Sequence, residues 1–185
     1  TMTTTPITLW AGLSDPSRNI ALVVAGTILL AISAQITVPM WPVPMTLQTL
    51  AVLFIGISYG GRLAATTLLL YLAQGALGMP VFAAGGGMPH LLGPTGGYLL
   101  GFLFAASLLG WASDRGMTRS APMLSLYLLL STLAIYVPGS LWLSSFVGFK
   151  SALFAGILPF LLGDLVKATI VGMVVYFGKK IPRGV

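Results

Sequence analysis

Three stretches without a single Asp, Glu, Lys or Arg dominate this 185-residue chain: Asn19 to Gly61 (43 residues), Leu63 to Ser113 (51) and Ser120 to Phe149 (30). A hydrocarbon core about 30 Å thick is crossed by roughly 20 helical residues, and an ionised side chain at its centre costs about 2.5 kcal/mol or more. Each stretch therefore reads as membrane-embedded. The two longer ones suit two crossings plus a connection. The rest of the composition agrees, with 57% hydrophobic residues, a mean hydropathy of +0.99 and only nine basic and three acidic residues. A soluble domain carries about 25% charged residues, so the expected class is an all-α integral membrane protein.

Proline and glycine divide the stretches. Pro39, Pro42 and Pro44 fall within six residues and cannot continue a helix, which places a first helix near 18–36 and a second near 46–60. Gly75 to Gly97 holds eight glycines and three prolines, which puts a third helix near 62–76 and a fourth near 96–113. Entry after Pro122 and an interruption at Pro138-Gly139 predict a fifth helix near 122–143 and a sixth near 150–178. The whole chain, 1–185, is then one membrane domain of six crossings.

Six crossings put both termini on one side, with the hairpins at Arg62 and Asp114 to Arg119. Arg18, Arg62, Arg115, Arg119, Lys179, Lys180 and Arg183 fall there, against Lys150 on the other face. Cytoplasmic loops carry the excess of Lys and Arg, so the termini are expected in the cytoplasm. No A-x-A site closes the first helix, which argues against a cleaved secretory signal. The halves show no obvious repeat, so an inverted-repeat transporter is not supported.

The outward connections, 37–45, 78–95 and roughly 144–149, lack charge and are rich in Pro, Gly, Met, Trp and Phe. Irregular backbone at membrane depth is tolerated where it is buried in protein or lines a cavity. These connections read as lids folded onto a pocket. The competing reading has Trp41 and Trp142 as headgroup anchors.

Within the hydrocarbon region the ionisable residues are Asp164 and Lys167, three residues apart and so on one helical face. Counted along one continuous helix from Lys150, Asp164 lies about 21 Å deep at 1.5 Å per residue. Each must find a partner. They can satisfy each other, yet an isolated buried ion pair often adds no net stability over apolar residues, which favours a ligand-binding role. Asp accepts and Lys donates, so together they suit a small molecule with N–H donors at one place and a carboxylate or carbonyl at another. Gln48 can add a donor and an acceptor, or simply bond a neighbouring helix. Gly86, within Gly85-Gly-Gly87, lets backbone approach a ligand or makes a turn. Phe82, Tyr98 and Trp142 offer flat apolar walls, or are core and belt residues.

Other classes are excluded by what is missing. No cysteine occurs, and His90, the single histidine, has no cluster of acids to share a metal with, so it reads as a polar loop residue. An intramembrane aspartyl enzyme needs two carboxylates, whereas Asp15 and Asp114 fall at the cytoplasmic side. The chain is not expected to be an enzyme or to hold a cofactor. The net charge of +6 and pI near 10.0 come from dispersed cations, not a nucleic-acid-binding stripe. No G-x-x-x-x-G-K-[ST] loop is present, so energy for transport must come from a partner protein or an ion gradient. A stand-alone channel or facilitator is the alternative, disfavoured because the second to fifth helices hold few ionisable groups and the outer mouths read as capped. In the first helix, Ala21 and Ala25 form a small-xxx-small pattern that permits close helix approach.

Four segments in this order and spacing carry a resemblance. They are Val38-Pro-Met-Trp-Pro-Val-Pro-Met-Thr-Leu-Gln48, Gly78-Met-Pro-Val-Phe82, Leu92-Gly-Pro-Thr-Gly-Gly-Tyr98, and the set Pro159, Phe160, Gly163, Asp164 and Lys167. The chain resembles the BioY family, the biotin-specific S components of energy-coupling factor transporters. The resemblance implies a six-helix S-component fold in the bacterial cytoplasmic membrane, with biotin bound near the outer side beneath lids. It implies that Asp164 and Lys167 help hold the vitamin, Asp for the ureido ring and Lys for an acceptor. It also implies that the Ala21 and Ala25 surface meets the transmembrane coupling protein, which carries two ATPase subunits, and that the loaded subunit topples in the bilayer to open inward.

Overall fold

The computed structural model describes residues 15–83 and 85–180. In chain order these form α1 (Asp15–Gln35), β1 (Thr37–Val38), β2 (Met45–Thr46), α2 (Gln48–Tyr59), α3 (Gly61–Ala76), α4 (Met88–Leu92), α5 (Gly96–Asp114), α6 (Ala121–Val147), α7 (Phe149–Gly156) and α8 (Leu158–Lys180). Among the described residues, four helical stretches, 16–35, 96–114, 121–147 and 149–178, are long and apolar enough to cross a bilayer. At 12 residues α2 is apolar but about 18 Å long.

That short helix is the centre of the molecule. Ala51, Val52, Leu53 and Ile55 are each at most 1% exposed, as expected of a helix apolar on every face. It is surrounded by α1, α3, α5, α6 and α8. Gly60 alone links α2 to α3, and its φ of +82° is the left-handed conformation that glycine adopts without strain. The reversal is fastened by Asp114, whose Oδ2 accepts the Gly61 N–H at 2.8 Å. Where α5 crosses α6, a Cβ at Gly101 would sit 2.8 Å from the Ile135 backbone. Small residues let membrane helices approach closely and gain dispersion contact, since lipid supplies no hydrophobic drive between them. The outward faces instead present Val24, Ile28, Leu69, Leu133, Leu162 and Leu165.

Two proline positions depart from expectation, in opposite directions. The predicted interruption at Pro138-Gly139 does not occur, because α6 continues through Pro138 to Val147. A single proline removes one intrahelical bond, and a 27-residue helix keeps the rest. The expected loop near 144–149 is accordingly only Gly148, at φ +81°. Conversely, the predicted helix near 150–178 is broken at Ile157, between α7 and α8. Pro159 lies in the first turn of α8, where its missing N–H costs nothing, and it has no N–H with which to carry the hydrogen-bond ladder of α7 onward. The break also shortens the straight count to Asp164, which lies six residues, about 9 Å, beyond the start of α8.

The other two outward connections carry structure. In the first, β1 and β2 pair antiparallel, Thr37 with Thr46 and Val38 with Met45. In the second, Phe82 and Gly85 form an isolated bridge ahead of the short α4.

Candidate ligand site

Asp164 and Lys167 lie one turn apart on α8, 3% and 8% exposed. Lys167 Nζ donates to Asp164 Oδ1 at 2.8 Å and to the Thr46 carbonyl of β2 at 2.6 Å. Tyr136 Oη, from α6, donates to Asp164 Oδ2 at 2.7 Å. The pair is therefore an ion pair held between two other elements. The first connection lies over it, with Met45 seated against Gly163, the residue before Asp164.

The bonding inventory defines what this group can recognise. An ammonium has three donors, of which Lys167 uses two, and a carboxylate has about four acceptor positions, of which Asp164 uses two. One donor and one lone pair on each carboxylate oxygen remain. An N–H next to a C=O, as on one edge of a urea or amide, matches that set.

Around the pair stands a layer of buried hydroxyls and rings. Gln48 Nε2 donates to Tyr71 Oη at 2.6 Å, and Tyr71 donates in turn to the Val81 carbonyl at 2.8 Å. Gln35 Nε2 donates to the Phe82 carbonyl at 3.2 Å. These bonds tie α1, α2 and α3 to the second connection. The Phe82 ring is 2% exposed, meets Tyr71 edge-on at 5.4 Å, and covers Gly75, where a Cβ would overlap it. Tyr98 stacks obliquely on Phe160 at 6.3 Å and donates to the Gly156 carbonyl at 2.7 Å. That bond satisfies a carbonyl left over where α7 ends, so the break in the last span is built into the site's wall. Tyr71, Phe82, Tyr98, Tyr136 and Phe160 belong to one buried cluster.

The remaining expected residues are more peripheral. Trp142 is 38% exposed and donates from Nε1 to the Gly93 carbonyl at 2.9 Å, bracing α6 against the start of α5. At Gly86 a Cβ would overlap the Met79 carbonyl, and its own carbonyl is bonded to His90 Nδ1 at 2.9 Å. This glycine serves close packing within the second connection. Ala21 and Ala25 are half-buried on α1, beside Gly26, which packs on Thr67 of α3.

The sequence reading did not single out Tyr136, Tyr71, Gln35 or Thr46. Each is a polar group in or beside a charge-free stretch, which is the signal that was present. The partners, however, lie 10 to 121 residues away along the chain.

Comparison with known proteins agrees with this architecture. Residues 2–183 match the model of the BioY family. A probable biotin transporter BioY of Pyrococcus horikoshii is 42% identical over 153 residues, which is 82% of this chain and 90% of that protein. Biotin transporter BioY2 of Lactococcus lactis is 35% identical over 156 residues, covering 83% and 85%. Among solved structures, the S component for biotin from an ECF-type ABC transporter superposes with a TM-score of 0.77 at 25% identity, covering 91% of this chain and 95% of that one. These relatives are transporters, not enzymes. The chain belongs to the BioY family.

Proposed function

We propose that this protein is the biotin-binding subunit of an energy-coupling factor transporter, spanning the cell membrane six times with both termini in the cytoplasm. The observation that carries the reading is the Asp164 and Lys167 pair, buried beneath β2 and retaining one donor and two acceptor positions. Biotin carries a cyclic urea whose N–H groups suit Asp164 and whose carbonyl suits Lys167. Two opposite charges kept inside a membrane protein are costly unless well compensated. A urea bonded to both adds to that compensation.

In this account Tyr136 orients the Asp164 carboxylate and Tyr98, Phe82 and Phe160 form apolar walls. The first and second connections act as lids. Gln48 holds Tyr71, while Gly86 and Trp142 keep the second connection and the α5 entry in place. Energy comes from a transmembrane coupling protein and two ATPase subunits, because the chain has no phosphate loop. The Ala21 and Ala25 strip is the surface that meets the coupling protein.

Isothermal titration of the purified protein tests the ligand. Biotin and desthiobiotin, which share the urea, are expected to bind tightly, and unrelated vitamins are not. Absence of biotin binding overturns the reading. For the partner, replacing Ala21 and Ala25 with leucine is expected to spare biotin binding and abolish co-purification with the coupling subunits. Retained co-purification means another surface makes the contact.

A further inference from the structure

Two facts fix the register between α6 and α8. Tyr136 bonds Asp164, and Leu128 lies beside Gly172, so the helices run antiparallel. Continued down the pair, that register brings Ala121 level with the last turn of α8. Between Tyr136 and Ala121 the helices part to leave a groove of about 530 Å³, about 22 Å long at 1.5 Å per residue, ending at Phe177.

Its walls are almost wholly hydrocarbon. Leu129, Leu133, Leu165 and Met173 line it while remaining 56%, 46%, 64% and 55% exposed, so the groove opens sideways to the membrane. Of the polar groups that line it, Thr132 donates to the Leu128 carbonyl, Thr169 to the Leu165 carbonyl and Tyr136 to Asp164, which closes the inner end, while Ser125 adds one hydroxyl near the Ala121 end. A polar solute would lose its hydration there with little in return. A hydrocarbon chain loses nothing and gains contact.

The two ends of the groove differ in charge. At the Ala121 end, exposed Arg119 stands two residues before α6, and Lys179 and Lys180 are the last residues of α8. At the other end stands the neutral-sum Asp164 and Lys167 pair. Basic residues next to a membrane helix attract anionic lipid, each worth about 1 kcal/mol near the surface.

We propose that the α6/α8 groove is a phospholipid site. One acyl chain lies along it with its methyl end against Tyr136, and an anionic headgroup sits at the end carrying Arg119, Lys179 and Lys180. The occupant keeps water away from the outer side of the Tyr136–Asp164 bond. The site does not depend on which solute the protein transports.

Native mass spectrometry of the protein released from mild detergent, after equilibration with equal phosphatidylglycerol and phosphatidylcholine, tests this directly. The expected result is one retained phosphatidylglycerol, with phosphatidylcholine retained at least tenfold less. Ser125→Trp and Thr169→Trp, from opposite walls, should each lower retention tenfold or more. Leu130→Trp, on the same helix outside the groove, should not. Replacing Arg119, Lys179 and Lys180 together by Gln should remove the preference for phosphatidylglycerol while leaving a lipid bound. Thermal midpoints verify that the variants are folded, and Ser125→Leu and Thr169→Leu replace any tryptophan variant that is not. Unchanged retention in the groove-filling variants overturns the proposal. So does a particle of two chains that loses its second copy in those variants, because the groove is then a subunit interface.

Discussion

Tyr136 and Asp164, 28 residues apart in sequence, are joined by a buried 2.7 Å hydrogen bond from the phenol to Oδ2 of the carboxylate. Because Lys167 approaches the other oxygen at 2.8 Å, the carboxylate is fixed between two donors on two helices. It cannot rotate to meet a ligand without breaking one of them. Preorganisation of this kind limits the ordering cost paid on binding.

Removing the phenol should loosen that carboxylate. Tyr136→Phe is expected to weaken biotin binding by roughly tenfold or more, since a hydrogen bond to a charged group contributes about 1.5–3 kcal/mol. Titration calorimetry reads the change. An unaltered Kd in a folded Tyr136→Phe protein would mean that Tyr136 does not orient Asp164 for the ligand.

Lys167→Ala should be severe in the empty protein as well. It leaves the Asp164 charge without its partner and the Thr46 carbonyl without its donor, and stranding one member of a buried pair costs about 3–5 kcal/mol. A large fall in the thermal midpoint is expected, together with faster proteolysis of the 37–46 ribbon. A midpoint equal to that of the parent protein would show that solvent reaches Asp164.

Gly75→Ala should shift the Phe82 ring, because the added methyl falls on it. Overpacking a filled core costs about 1–3 kcal/mol. Pairing the change with Phe82→Leu should recover part of the loss in thermal midpoint, whereas additive losses would argue against direct contact.

Asp114→Ala separates scaffold from site. It removes the acceptor for the Gly61 N–H and should lower stability by about 1 kcal/mol, as loss of a helix cap does. Biotin affinity should stay unchanged in calorimetry, since the α2–α3 reversal is far from the ion pair in the fold.

The sequence made Asp164 and Lys167 legible because a charge inside a 30 Å apolar slab carries a cost that their mutual ion pair only partly offsets. Their neighbours left fainter traces. A tyrosine in an apolar helix costs little, and Tyr136, Tyr71 and Tyr98 find partners on other elements. Periodicity along one helix cannot reveal those. Pro138 and Pro159 show the same limit for the fold. The first is absorbed into a long helix and the second begins one after a break. The outcome depends on packing: the carbonyl of Gly156 at the break is taken up by Tyr98 from α5, 58 residues earlier in the chain.

In the proposed function the buried charges are kept for a guest molecule and not for the fold. Replacing them together, Asp164→Leu with Lys167→Met, removes the charges while keeping volume, and such replacements are often neutral or stabilising by about 1–4 kcal/mol. Biotin titration of that double variant, beside its thermal midpoint, is the most direct measurement. Because the Thr46 carbonyl and the Tyr136 hydroxyl each lose a partner, the midpoint is expected to fall less than in Lys167→Ala alone, with no detectable biotin binding. A folded double variant that still binds biotin with the parent's Kd would show that Asp164 and Lys167 do not hold the ligand.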